Sequence, residues 1–340
     1  MNINAKKWIK NRPPKRILAI RMHAMGDVVI TLPYLQDLKN NLPDSVQIDL
    51  LTRNETDPIP KNLILFDKIF SVGGGRSSNA ILFFTLLLLP RLLLRRYDIV
   101  IDLQNNRLSR FVRRRINPFA WTEFDRTSPI SAGERTMNTI EAIGIVKNKA
   151  AEKFDLKSDL NAKHILTNNG WDGKKDLVVL NPAGVFETRN WPIENYASFA
   201  KMWLSEFPQT QFLILGLPFI KSKADLLKDE LKENIICIVD KTNIAEAFTI
   251  LQYTKFMLSE DSGLMHMSWI SGIPTFVLLG GTRPDRGQPL GKHSAFLDSS
   301  DLECGCCMQE KCKWRDIRCL TRYKPEFVFE KAKELIKKSK

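Results

Sequence analysis

The sequence predicts an α/β protein made of two doubly wound, parallel-sheet domains in tandem. Three observations predict it. The chain has 340 residues, enough for two domains that each bury a core. Short apolar runs alternate with helically spaced stretches in both halves. A polar break separates those halves. With 44% hydrophobic and 26% charged residues, the composition excludes a disordered, collagen-like or disulfide-scaffold chain.

Ile17-Leu18-Ala19-Ile20 is the first strand; after Arg21–Asp27, Val28, Ile30, Leu32, Leu35 and Leu38 have helical spacing. Strands follow at 46–51, 68–72 and 97–103, the last (Tyr97-Asp98-Ile99-Val100-Ile101-Asp102-Leu103) ending in Gln104-Asn105-Asn106. Between 160 and 175, Asn, Asp, Gly and Lys crowd into a few turns, so the boundary falls there: domains are expected over 1–165 and 166–340. The second half continues with strands at 177–180, 212–215, 235–239, 256–258 and 275–279. An amphipathic helix over 325–338 then puts Phe327, Val328, Ala332, Leu335 and Ile336 on its apolar side.

The net charge of +13 is unevenly distributed. Residues 1–150 hold 24 basic and 13 acidic side chains, leaving only +2 for the remainder. The front half therefore suits an anionic partner. No apolar run reaches the ~18 residues of a membrane-spanning helix, and the first sixteen residues carry six cations but no apolar core of a signal peptide. A cytoplasmic protein is expected.

In doubly wound sheets, ligands sit beyond the carboxyl ends of the strands, so the loops there are the candidate sites. His23-Ala24-Met25-Gly26-Asp27 delivers a carboxylate to the start of a helix; Asp27 is either a general base or a helix-terminal charge. Asp261-Ser262-Gly263-Leu264-Met265-His266 offers the backbone N–H groups of Ser262, Gly263 and Leu264 to a diphosphate, or is simply a capped core helix with a structural His266. Thr188 and Arg189, in the loop after 177–180, can bring a hydroxyl and a guanidinium onto phosphate oxygens, unless this is a solvated loop above Trp191. Gly280-Gly281-Thr282-Arg283-Pro284 can close over the same phosphates.

Taken in order, these segments resemble glycosyltransferase family 9, the ADP-heptose:lipopolysaccharide heptosyltransferases. The resemblance runs from about residue 16 to about 330. It rests on Arg16–Arg21 with Met25-Gly26-Asp27-Val28 and Thr31-Leu32-Pro33, on Tyr97-Asp98 with Asp102-Leu103-Gln104, on Arg189-Asn190-Trp191-Pro192, and on Asp261–His266. It implies a GT-B architecture: two Rossmann-like domains across a cleft, acceptor on the first and nucleotide sugar on the second. It also implies inverting, metal-independent transfer from ADP-heptose to a lipopolysaccharide inner-core acceptor, with no cofactor required. Asp27 would be the base, while Thr188, Arg189, Asp261, Ser262, Gly263, Leu264 and His266 would bind the donor. His23, Met25, Gly26, Gln104, Asn105 and Arg107 would face the acceptor. No Asp-x-Asp motif of the metal-holding kind occurs. Two departures stand out. Asn105 replaces a common Gly after Asp-Leu-Gln, and Leu217-Pro218-Phe219-Ile220-Lys221 replaces a glycine-rich turn with an acidic residue, so ribose recognition is expected to differ. Another nucleotide sugar or surface glycan, or a catalytically silent sugar-nucleotide binder, are the alternatives.

Three further segments remain. Ala80–Leu89, followed by Arg91, Arg95 and Arg96, is either a buried crossover helix with a solvated basic end or a segment in the interface plane of an anionic membrane. Arg107, Arg110 and Arg113-Arg114-Arg115 either bind acceptor phosphates or carboxylates or form a solvated face; they lack the interleaved aromatics and the recognisable module of nucleic-acid binding, so no nucleic acid is expected. Cys304, Cys307, Cys312 and Cys319 read C-x2-C-x4-C-x6-C, a density able to hold a structural zinc, or else free or partly disulfide-linked thiols.

Overall fold

The structure, a computed structural model, describes residues 3–151 and 153–339. They form two compact units, the first ending at Lys157 and the second beginning at Ser158.

In the first unit, β1 (Ala5–Lys6), β2 (Arg16–Ile20), β3 (Gln47–Arg53), β4 (Lys68–Val72), β5 (Ile99–Asp102) and β6 (Ala120–Glu123) pair in the order β1-β6-β5-β2-β3-β4. Every pairing is parallel except β1 against β6. The helices are α1 (Met25–Asn40), α2 (Pro58–Asn62), α3 (Ser78–Leu94), α4 (Arg107–Ile116) and α5 (Ala132–Glu141). The chain runs outward from β2 to β3 and β4, then crosses to β5 and β6 on the other side. Right-handed crossovers therefore place α1 and α2 on one face and α3 and α4 on the other. α3 and α4 share a core with the sheet, in which Leu92 and Val112 pack with Leu18, Ile20, Leu51 and Val100.

The second unit repeats the order of β2–β6 and adds a parallel edge strand, with β7 (Asp176–Asn181), β8 (Thr210–Ile214), β9 (Ile235–Cys237), β10 (Thr254–Glu260), β11 (Thr275–Leu278) and β12 (Ser294–Leu297) in the order β12-β11-β10-β7-β8-β9. Its helices are α6 (Ala162–Asn168), α7 (Ile193–Glu206), α8 (Lys221–Leu231), α9 (Ile244–Leu251), α10 (Gly263–Ile270), α11 (Pro284–Gly287), α12 (Arg318–Thr321) and α13 (Pro325–Ser339). The inner strands β7, β8, β10 and β11 are buried on both faces, which explains why they read as continuous apolar runs rather than alternating ones. Because α6 packs on α9 it travels with the second unit, and the units divide at 157/158 where the polar composition suggested 165/166.

Every strand expected from the sequence is present, with ends moved by at most two residues. Three are added. β1 has two residues; β6 and β12 have four each, too short for a periodic signal, and β6 directly follows an arginine-rich helix. In α13, Val328, Phe329, Ala332 and Leu335 are buried, whereas Phe327 is exposed and stacks on Tyr323, so Phe329 takes the core place expected of Phe327. α3 departs furthest from ordinary packing. It fully buries only Thr85 and Leu92.

Candidate active site

In each sheet the strand order reverses once near the middle, between β2 and β5 in the first unit and between β7 and β10 in the second. The crevice beyond the carboxyl ends of such a strand pair is where doubly wound folds hold ligands. Almost all the expected site residues fall at these two places.

At the first, β2 runs into Arg21, whose buried guanidinium ties the loop together. It pairs with the Asp27 carboxylate at 2.8 Å, donates to the Leu103 carbonyl beyond β5, and lies over the Phe124 ring. Burial is the main force lowering the Arg21 pKa, and the Asp27 charge opposes it. Asp27 stands in the first turn of α1, where its carboxylate also accepts the Ala24 backbone N–H at 3.1 Å. The helix-terminal role weighed for Asp27 is thus real, yet its side chain remains 42% exposed. One carboxylate oxygen anchors the turn, and the group as a whole is still open to a ligand. His23, Met25 and Gly26 border it on the same loop. His23 has its pKa lowered by burial first, then by the positive charges of Arg53 and Arg21, with Arg126 adding to them against Asp27. Arg53, at the end of β3, and Arg126, beyond β6, are functional candidates that sequence reasoning missed: neither lies in a recognisable motif, and only the fold brings them to His23.

Gln104 and Asn105, expected at the acceptor, brace this loop from β5. Gln104 is buried, and its side-chain carbonyl accepts the backbone N–H groups of Met22 at 2.9 Å and His23 at 3.3 Å. Asn105 has φ +45°, a left-handed conformation that glycine adopts freely and Asn better than most. Its amide donates to the Phe124 carbonyl at 2.8 Å. The departure from a common Gly is therefore a change of turn residue at one backbone shape. Arg107 is exposed at the start of α4, where it lines an open depression with Arg110, Phe111, Arg114 and Arg115.

At the second place, β10 ends in Glu260, fully buried, whose two oxygens accept the backbone N–H groups of Gly184 and Trp191, both at 2.6 Å. Both ends of the 184–191 loop are thereby fastened to β10. A side chain at 184 would run into the Arg189 carbonyl and meet the Glu260 carboxylate at 2.9 Å, so only glycine fits. Burial pushes the Glu260 carboxyl up to about 7, against the lowering effects of the Lys223 charge and the two backbone donors. Lys223 is half-buried on α8; it donates to the Pro182 carbonyl at 2.9 Å and to the Asn190 side-chain oxygen, and burial lowers its pKa. Lys223 was missed, and Glu260, which opens the candidate loop running to His266, carried no assigned role. Nothing in the sequence distinguishes a strand-final Glu that fastens a loop from one that faces water.

Two expected donor residues meet here: Arg189 pairs with Asp261 at 3.0 Å and lies over the Phe186 ring. Thr282, from the Gly280–Pro284 loop, donates to the same Asp261 carboxylate oxygen at 2.7 Å. Asn181 donates to Ser259 at 2.8 Å and to Ser262 at 2.7 Å, and the Ser262 hydroxyl caps α10 by accepting the Met265 N–H. The first-turn amides of α10, at Gly263 and Leu264, have no acceptor within the helix and form an anion-receptive end. Thr188 and His266 differ from expectation. Thr188 is buried and its hydroxyl donates to the Gln309 carbonyl, so it roots the loop instead of presenting a hydroxyl to phosphate. His266 is buried in α10 and its Nδ1 accepts the Trp269 indole N–H at 3.1 Å, the structural role weighed for it.

The cysteine-rich segment lies against this loop. Cys304, Cys307, Cys312 and Cys319 line a depression of about 390 Å³ with Thr188 and Trp314, and the Cys312 N–H donates to Glu187 at 3.1 Å. All six cysteines are free thiols. Among the described residues no group of three or more His, Cys, Asp or Glu side chains is gathered as a metal site.

Residues 87–317 match Glycosyltransferase family 9 (heptosyltransferase). That span includes the second place but not Asp27. A lipooligosaccharide heptosyltransferase 2 from Campylobacter jejuni is 30% identical over 175 residues, 49% of this chain; the chain spans about half the length of that relative, 53%. A solved glycosyl transferase family 9 structure from Veillonella parvula shares the fold with a TM-score of 0.79 at 19% identity, covering 95% of this chain and 97% of its own. The solved E. coli ADP-heptose LPS heptosyltransferase II does so with a TM-score of 0.71 at 17% identity, covering 94% and 98%.

Proposed function

The chain belongs to glycosyltransferase family 9, and on that premise we propose that it transfers a heptose from ADP-heptose to a lipopolysaccharide inner-core acceptor, with inversion and without a divalent metal. One observation carries the reading: the two strand-order reversals bear opposite chemistry. The first unit offers a half-exposed carboxylate, Asp27, held by a buried guanidinium. The second offers a guanidinium, Arg189, and the amide end of a helix.

In the reaction, an Asp27 oxygen takes the proton from the acceptor hydroxyl as the hydroxyl oxygen forms its bond to the anomeric carbon. The bond from the anomeric carbon to the diphosphate oxygen breaks on the opposite face, and ADP leaves with the electron pair. Arg189, oriented by Asp261 and Phe186, meets the charge developing on the diphosphate together with the Gly263 and Leu264 amides. Preorganised cations and dipoles of this kind do the work that a divalent ion does in other transferases. His23, Met25 and Gly26 border the acceptor hydroxyl, and Arg21, Arg53 and Arg126 supply positive charge for a phosphorylated acceptor. The acceptor is lipid-linked, so the enzyme works as a cytoplasmic, peripheral protein on an anionic membrane surface, in keeping with its basic first half.

Calorimetric titration with ADP-heptose, ADP, UDP-glucose and GDP-mannose, without added metal, tests this reading. Selective binding of the two ADP compounds is expected. Selective binding of another nucleotide replaces the donor while keeping the chemistry, and no binding of any of the four overturns the transferase reading.

A further inference from the structure

We propose that α3 is an in-plane membrane-docking helix, and that α4 beside it supplies the phosphate-binding half of the same surface. The proposal rests on the membrane-surface reading above and names the element that carries it. α3 rests on its sheet through a narrow stripe spaced at helical intervals: Ile81, Thr85, Leu88 and Leu92, of which only Thr85 and Leu92 are fully buried. The outward positions of a soluble crossover helix are normally polar. Here Leu82, Phe83, Phe84, Leu86, Leu87 and Leu94 are each between 40% and 81% exposed. From Ser78 to Pro90 the helix carries no charged residue. An apolar face this continuous on a protein surface marks an interaction site rather than scattered exposure.

The charge around it selects the occupant. Arg95 is turned inward to the buried Asp49, whereas Arg91 and Arg96 at the same end are exposed. α4 packs against α3 over the same face of the sheet and projects Arg107, Arg110, Arg114 and Arg115 from its outer side, around an open depression of about 600 Å³. A greasy face bordered by six exposed arginines complements the acyl boundary and phosphate layer of an anionic bilayer. Seventeen residues rise only ~25 Å, less than the ~30 Å hydrocarbon core. No helix among the described residues is long and apolar enough to cross a membrane, so α3 lies in the plane.

The test is co-sedimentation of the full chain with phosphatidylglycerol-containing and phosphatidylcholine-only vesicles, for the wild type, Phe83→Asp/Leu87→Asp and Arg110→Glu/Arg114→Glu. Both pairs are exposed, so circular dichroism should show unchanged folding. The expected result is a preference of at least about tenfold for the anionic vesicles, weakened by salt. The first variant should bind neither vesicle, and the second should lose the preference for anionic ones. Wild type that ignores anionic vesicles, or Phe83→Asp/Leu87→Asp that binds them as wild type does, overturns the proposal. So does a wild-type dimer that the same substitutions convert to monomer, since a second copy would then be the occupant. Transfer to a delipidated acceptor, measured on the same preparations, separates the two readings. Wild type that transfers but binds no vesicle removes the docking helix alone, and wild type that binds anionic vesicles but does not transfer removes the heptosyl chemistry alone.

Discussion

The two units share one strand order apart from an edge strand, yet their strand-order reversals are finished in opposite ways. In the first unit the carboxylate stays accessible while its cationic partner is buried: Asp27 is half-exposed and Arg21 is sequestered behind it. In the second the carboxylate is the buried member: Glu260 lies under the loop and holds it by two backbone N–H groups, while Arg189 emerges above. The same scaffold thus presents a carboxylate at one site and a cation at the other. What differs is which charge the fold pays to bury.

The largest effect expected from this contrast is at Asp27. Asp27→Asn keeps the size and one acceptor for the Ala24 N–H but cannot take a proton, so turnover should fall by about 10²–10⁴, read as kcat with saturating donor. Turnover within a few fold of wild type would reduce Asp27 to a helix-terminal residue. Next comes Arg189→Met, which removes a charge aimed at the leaving diphosphate and should lower kcat/KM by about 10²–10³.

Glu260 sharpens the comparison through pH. Its folded pKa, about 7, lies above the ordinary carboxylate value of 4.5. The stability it contributes is therefore fully present below 4.5 and is lost as pH rises through 7. The melting temperature should fall across that window in wild type, and Glu260→Gln, with no proton to lose there, should flatten the slope. The smallest effect is expected of Asn105→Gly, which eases a φ of +45° but gives up the bond to Phe124. Stability should change by no more than about 1 kcal/mol in a denaturant titration, and the KM for acceptor should not move, because the side chain is turned into the fold.

The parts legible in the sequence are those with a repeating or local signal. Buried parallel strands announce themselves as β-branched runs, and a loop after such a strand is a candidate site wherever it sits, which is why Asp27, Arg189 and Asp261 could be named. The sequence does not say which way a side chain turns. Gln104 and Thr188 sit in the expected loops but spend their polar groups holding backbone, and His266 faces a tryptophan in its own helix. Arg53, Arg126, Lys223 and Glu260 join the sites only through long-range packing. α3 was undecided for a related reason: its composition suits a buried helix or a docking helix equally, and only the width of its contact stripe separates them.

The most direct test of this division of labour is calorimetric titration of ADP-heptose into Asp27→Asn and Arg189→Met side by side. The expected result is a donor Kd within about twofold of wild type for Asp27→Asn and at least about tenfold weaker for Arg189→Met, a loss of ~1.4 kcal/mol or more. Donor binding lost in Asp27→Asn and kept in Arg189→Met would contradict it.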